Sequence, residues 1–179
     1  MDIFDSCHKI NDLISSNQDD VARDELIKLL DHHERHGLPY SHVVNNLVRQ
    51  VGLYPYLQVE TSAWQDRFVY ESFKIDVGTD VPLTLHREQS SVLKKLLEGR
   101  SLAVSAPTSF GKSFIIDAFI SIRKPKNVVI IVSTIALTDE TRRRLQEKFS
   151  NEYKIITTSD VSVAEKTYLY SRSNAHLTI

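Results

Sequence analysis

The run Ala106-Pro107-Thr108-Ser109-Phe110-Gly111-Lys112-Ser113 constrains this chain more than any other stretch. A small residue, four variable positions and Gly-Lys-Ser make the pattern of a phosphate-binding loop. Such a loop needs a strand before it and a helix after it. Both are written around it. Leu102 to Ser105 predicts a buried strand, and Phe114 to Ile122, apolar on most sides, predicts a buried helix. In that setting backbone N–H groups wrap the phosphates and the helix N-terminus faces them. Lys112 offers a mobile positive charge to the β- and γ-phosphates, and the Ser113 hydroxyl is placed to ligate Mg²⁺. All eight residues are therefore candidate contacts to ATP and its Mg²⁺.

The pattern around the loop alternates between helix and strand. Residues 88–97 predict a helix with Val92, Leu93, Leu96 and Leu97 inward and Gly99 at its end. Asn127–Ser133 carries five consecutive branched apolar residues and predicts a buried parallel strand. Leu137–Phe149 predicts a helix with Leu137, Leu145 and Phe149 near one face, and Lys154–Thr158 a third strand. The fold class expected is α/β, a doubly wound sheet.

Upstream the period changes. Residues 1–56 read as three short helices. Their stripes are Ile3, Cys7, Ile10 and Ile14; then Val21, Ala22, Leu26, Leu29 and Leu30; then Val43, Val44, Leu47, Val48 and Val51. Ser41 suits the N-cap of the third, and Gly52 lies just past its end. Residues 57–84 read as a connector, in which Trp64, Phe68, Tyr70 and Phe73 suggest packing onto the next domain. Asp76 to Pro82 is a turn or linker. The expected division is a helical accessory region at 1–56, a connector at 57–84 and an α/β part at 85–179.

Charge divides the same way. Residues 1–80 hold 14 acids and 7 Lys/Arg, and residues 81–179 hold 9 acids and 15 Lys/Arg. A basic half suits a nucleic-acid-facing surface, and ordinary solvated surface suits it equally. Hydrophobic content of 41% is enough for a core. No stretch approaches a membrane span, and no basic segment followed by an apolar one marks a signal peptide. One cysteine, Cys7, forbids an internal disulfide and fits a reducing compartment. A cytoplasmic protein is expected.

Asp31-His32-His33-Glu34-Arg35-His36 tempts a metal reading, since His32 and His36 share a helix face. The zinc pattern His-Glu-x-x-His fails by one residue, because Gly37 stands where the second histidine belongs. Gly37 and Pro39 instead mark a helix end, whose negative pole suits histidines.

Hydrolysis needs an acid at the end of a neighbouring strand to hold Mg²⁺. Asp24-Glu25 lies in a helical stretch, and Asp139-Glu140 opens one. Neither follows a strand, so no catalytic set is complete.

These landmarks resemble superfamily 2 helicases of the DExD/H type over about residues 83–179. Ala106, Gly111, Lys112 and Ser113 match that family's first motif. Gln89, in Leu85-His86-Arg87-Glu88-Gln89 and seventeen positions before Ala106, resembles the family's adenine-reading glutamine. Ser133-Thr134-Ile135-Ala136-Leu137 resembles Pro-Thr-x-x-Leu, and Thr158-Ser159-Asp160 resembles a Thr-Gly-Asp-like motif of the Ski2-like branch. The resemblance implies that Thr134 and Ser159 hold a nucleic-acid backbone, DNA or RNA. The run Arg142-Arg143-Arg144 is expected on the same side; successive arginines splay around a helix, so at most two, Arg142 and Arg143, reach phosphate and the rest are solvated. It also implies an incomplete RecA-like ATP-binding lobe preceded by a small all-helical region.

The wording of residues 105–113 and 133–145 is also similar to helicases of bacterial defence and mobile-element operons. Ser109 stands where the family has glycine, Ser133 where it has proline and Ser159 where it has glycine. The acidic second motif, the third motif and the second lobe have no counterpart. The expectation is a helicase fragment, inactive by itself, cut before its catalytic half. Two alternatives stand beside it. One is a non-hydrolysing nucleotide-binding module. The other is a remnant whose helical N-terminus binds a partner protein.

Overall fold

Asp2 begins the first helix by accepting the amides of Phe4 and Asp5 at 2.8 and 3.1 Å. Helix α1 then runs Ile3–Ser15 and α2 Asp19–His36, where Gly37 ends it in a left-handed conformation. Ser41 accepts the Val44 amide to open α3, His42–Val51, and Gly52 closes it with φ +83°. Both signals were legible, and both work by satisfying helix-end backbone groups. This computed structural model describes residues 2–77, 79, 81–157 and 176–178.

The described residues fall into two compact units. The first is Met1–Ile75 with Leu83–Lys95. Its core is the shared face of α1, α2 and α3, with Ile10, Leu26, Leu29, Val44, Leu47 and Val48 almost fully buried. Val21 and Val43 depart from the expected stripes and are about half exposed. Buried Asn45 ties the following loop to α3: its amide donates to Thr61 Oγ1 at 3.2 Å and its oxygen accepts the Gln58 amide at 3.0 Å. Helix α4, Trp64–Ser72, follows. Strands β1, Lys74–Ile75, and β2, Leu83–Thr84, pair antiparallel.

Tyr70 and Phe73 pack against this helical core, whereas Trp64 and Phe68 are 72% and 67% exposed. The connector aromatics thus do not act as one packing set. Trp64, Phe68 and the inward residues lie on different faces of one short helix.

Helix α5, Arg87–Leu97, starts in this unit. Arg87 stitches it to the end of α3. Its Nη2 donates to the carbonyls of Arg49 and Gln50 at 2.9 and 2.6 Å, and its Nε to the Tyr54 hydroxyl at 3.0 Å. Those carbonyls lie in the last turn of α3, where the helix runs out of its own amides; Arg49 O also accepts the Gly52 amide at 3.1 Å.

The second unit is Asp76–Pro82 with Leu96–Ile179. It contains α6, Lys112–Arg123, and α7, Ile135–Phe149, with a three-stranded parallel sheet. The strands are β3, Asn127–Val129, β4, Lys154–Ile156, and β5, His176–Thr178, in the order β3-β5-β4. Asn127 pairs with His176, and Lys154 pairs with His176 from the other side. Ile120, Leu145, Phe149 and Tyr153 form the core, with Val128, Ile130, Val132 and Ile155 packed on it. The α/β class is thus present in this unit as a helix pair on a small parallel sheet, and the N-terminal unit is mainly helical.

Two expected strands differ. Residues 102–105 form no strand, and Leu102 and Val104 are 37% and 40% exposed. An apolar run becomes a strand only beside a ladder partner, and among the described residues none pairs with it. The run at 127–133 is strand only through Val129. Alternation explains its burial: Val128, Ile130 and Val132 meet the helices, while Val129 and Ile131 point away and are exposed. Leu137, expected inward on α7, is also exposed.

Candidate nucleotide-binding site

The loop between residue 105 and α6 is built from turn chemistry. Pro107 leads into a single 3₁₀ turn, Thr108–Phe110. Gly111 then takes φ +78° and ψ +37°, a left-handed conformation open to glycine at little cost, and α6 starts at Lys112. Ser109 replaces the expected glycine without strain. Among the described residues, only Asn17 and Lys124 combine a side chain with positive φ.

Lys112 turns back over this loop. Its Nζ donates to the carbonyls of Ala106 and Pro107 at 2.7 and 2.8 Å. An ammonium carries three donors and no acceptor, so in this position the two carbonyl oxygens serve as its anion. Among the described residues no side chain caps the α6 N-terminus, whose N-cap is Gly111. Its first amides therefore face outward with the positive end of the helix behind them. Ser113 is exposed on that first turn. Uncapped amides, a lysine and a hydroxyl in sequence fit a phosphate chain with a hard divalent cation.

Thr134 follows the sheet and caps α7, its Oγ1 accepting the Leu137 amide at 3.2 Å. Arg142, Arg143 and Arg144 splay around that helix. Arg143 is exposed, with Nε 3.4 Å from the Asp139 carbonyl; Arg142 is half-buried. Arg144 points at α6, where Nη1 donates to the Ser113 carbonyl at 3.1 Å and to the Asp117 carboxylate. Lys148 Nζ reaches the other Asp117 oxygen at 2.8 Å.

This cluster was missed in the sequence. Its signal is a single acid in the otherwise apolar run 114–120, matched by two cations four residues apart on α7.

Gln89 lies in the first unit, in the first turn of α5. It is buried, and its Oε1 accepts the His86 amide at 3.0 Å. Ser159, with the rest of Thr158-Ser159-Asp160, lies outside the described residues. Asp139 and Glu140 sit exposed in the second turn of α7. In the histidine run, His33 is buried edge-on to Tyr40, with Nδ1 3.3 Å from the Leu38 carbonyl. The His32 and His36 rings pack at a tilt of 40°, with centres 4.2 Å apart. Desolvation lowers the pKa of His32, and the neighbouring His36 adds to the effect.

Residues 1–67 match the family described as Anti-bacteriophage protein B N-terminal domain, and residues 86–179 match the DEAD/DEAH box helicase family. Among curated proteins, Anti-bacteriophage protein B of Escherichia coli (strain K12) is 36% identical over 156 residues. The match covers 86% of this chain and 21% of the relative. The chain thus spans about a fifth of that relative's length. No solved structure gives a significant match.

Proposed function

This chain belongs to the DEAD/DEAH box helicases, and from that premise we propose that residues 85–179 are part of a RecA-like lobe that binds Mg·ATP in a nucleic-acid-dependent ATPase. The observation that carries the reading is the loop itself. Gly111 is left-handed, the α6 N-terminus is uncapped, and Lys112 is parked on two carbonyls that phosphate oxygens would replace. The amides of the first α6 turn orient the phosphates, Lys112 neutralises them, and the Ser113 hydroxyl holds the cation. Bound Mg·ATP supplies the phosphoryl bond whose cleavage drives such proteins. Gln89 is the proposed adenine contact, on the motif resemblance.

Thr134, Arg142, Arg143 and Ser159 are the proposed nucleic-acid contacts. Their chemistry is hydroxyl and guanidinium, suited to backbone phosphate and silent about sequence. The likeness to Anti-bacteriophage protein B supports a role in defence against bacteriophage. Among the described residues no helix is long and apolar enough to cross a membrane.

Calorimetry with Mg·ATP on the chain and on Lys112→Ala tests the reading. Loss of a charge-assisted phosphate contact, about 1.5–3 kcal/mol, should weaken binding about tenfold or more. Equal affinity for both proteins would sink it. For the nucleic-acid part, Arg143→Ala should reduce the salt dependence of single-strand binding by about one unit of slope. A salt-independent affinity would overturn backbone binding.

A further inference from the structure

Asp117 lies on α6 with its side chain 1% exposed, an expensive place for a carboxylate. Two cations from α7 compensate it. Lys148 Nζ takes one oxygen at 2.8 Å, and Arg144 Nη1 takes the other. The same Nη1 also donates to the Ser113 carbonyl at 3.1 Å.

Lys148 therefore serves Asp117, while Arg144 serves Asp117 and Ser113 together. That difference matters. Charge balance alone would need no contact with the backbone carbonyl of Ser113, seven positions after Ala106 and the last residue of the phosphate-loop pattern. A guanidinium is planar and rigid, so one that is held by a buried carboxylate holds in turn whatever else it touches.

We propose that Arg144 is a positioning residue for Ser113. It fixes the first turn of α6 so that the Ser113 hydroxyl is set to ligate the divalent cation of the bound nucleotide. The inference rests on the nucleotide reading above. It adds that the metal-dependent part of nucleotide affinity is set from α7, by a residue that touches neither nucleotide nor metal. Lys112 acts on the phosphates directly and lies outside this effect. Groups that orient a metal ligand from behind are typically worth about 10–100-fold in metal affinity.

The test compares wild type, Arg144→Lys and Lys148→Met by calorimetry, with ATP in Mg²⁺ and with ATP in chelator, alongside thermal unfolding. Arg144→Lys keeps positive charge beside Asp117 but loses the rigid second contact. It should lose about tenfold in Mg·ATP affinity, the lower end for an outer contact, with metal-free ATP affinity unchanged. Lys148→Met should lower the melting temperature and leave the ratio of the two affinities at the wild-type value. In a Ser113→Ala background, Arg144→Lys should cost nothing further.

If Arg144→Lys is too unstable to measure, Asp117→Asn/Arg144→Met, which removes the buried carboxylate together with the guanidinium, takes its place against Asp117→Asn alone, with the same expected outcomes. Wild-type affinities in both conditions, equal losses with and without Mg²⁺, or an undiminished loss in the Ser113→Ala background would each overturn the proposal. A wild-type chain that binds no ATP, or binding indifferent to Lys112→Ala, would overturn the nucleotide reading and this inference with it. Binding that needs Lys112 but ignores Arg144 would overturn this inference alone.

Discussion

Gln89 bonds back to the residue that precedes its own helix: its Oε1 accepts the His86 amide at 3.0 Å. This is the returning half of a capping box, in which a third-position side chain satisfies an orphan amide. The oxygen thus has a structural job, which separates two roles by mutation. Gln89→Ala should lose the cap, about 1 kcal/mol of stability, along with any preference for ATP over GTP. Gln89→Glu keeps an acceptor at a helix N-terminus and should keep the stability while losing the preference. Melting curves and nucleotide competition on both variants check this. A Gln89→Glu protein that still prefers ATP would remove Gln89 from base recognition.

Gly52 carries two constraints and Gly37 one. Both are left-handed, at φ +83° and +61°. A Cβ at Gly52 would stand 2.8 Å from the Arg87 Cβ, whereas one at Gly37 meets nothing within 4 Å. Gly37→Ala should therefore cost only backbone strain, about 1 kcal/mol. Gly52→Ala should cost about 2–3 kcal/mol, since it also displaces the Arg87 contacts to the α3 carbonyls. Urea unfolding of the two variants measures the gap, and equal losses would show that Arg87 yields freely.

Asp66 is 3% exposed and accepts Arg49 Nε at 2.7 Å. Removing one partner of a buried pair costs about 3–5 kcal/mol, but the Arg49 side chain is 38% exposed and water screens it. Arg49→Ala should then cost about 2 kcal/mol. Adding Asp66→Asn should return about 1 kcal/mol, because the stranded charge is gone. A double-mutant cycle by denaturant unfolding reads this coupling; additive losses would show no net pairing.

Burial holds the His86 imidazole below its ordinary value of 6.5; Arg23 lowers it further and Glu88 opposes. The folded state thus favours the neutral ring. Protons bind the unfolded chain more readily, so the stability contribution is complete above 6.5. It falls as pH drops through 6.5 towards the folded value. NMR titration should place His86 below 6.5, and His86→Gln should flatten the loss of stability between about pH 7 and about pH 5. Some slope should survive, because desolvation also lowers His32. A His86 titrating at or above 6.5 would refute the argument.

Features written in local chemistry were legible in the sequence. Ser41 and Gly52 bracket α3 because capping depends on a few adjacent residues. The turn into α6 followed from Gly111 for the same reason. Features decided by distant partners were not legible. Whether 102–105 becomes a strand depends on a neighbour in the sheet, and hydropathy does not reveal one. Val129 and Ile131 were expected inward because five apolar residues in a row hide the alternation that sorts them. Nothing local separates Arg144 from its neighbours in the run Arg142-Arg143-Arg144, where it reads as the solvated member. Its contact with Asp117 comes from helix packing across 27 positions. The capping role of Gln89 belongs to the local kind, since a glutamine at the third helical position reaches back to an adjacent amide.

The order β3-β5-β4 has a consequence in time. Each outer strand pairs with β5, and among the described residues neither has another strand partner. Of the described strands, the middle one is thus the last to be synthesised. During translation β3 and β4 emerge before the one described strand that pairs with them, while the helices of the first unit can already close over short separations. Sheet assembly must await His176–Thr178, and its rate is governed by how fast that late segment finds the gap between two waiting edges.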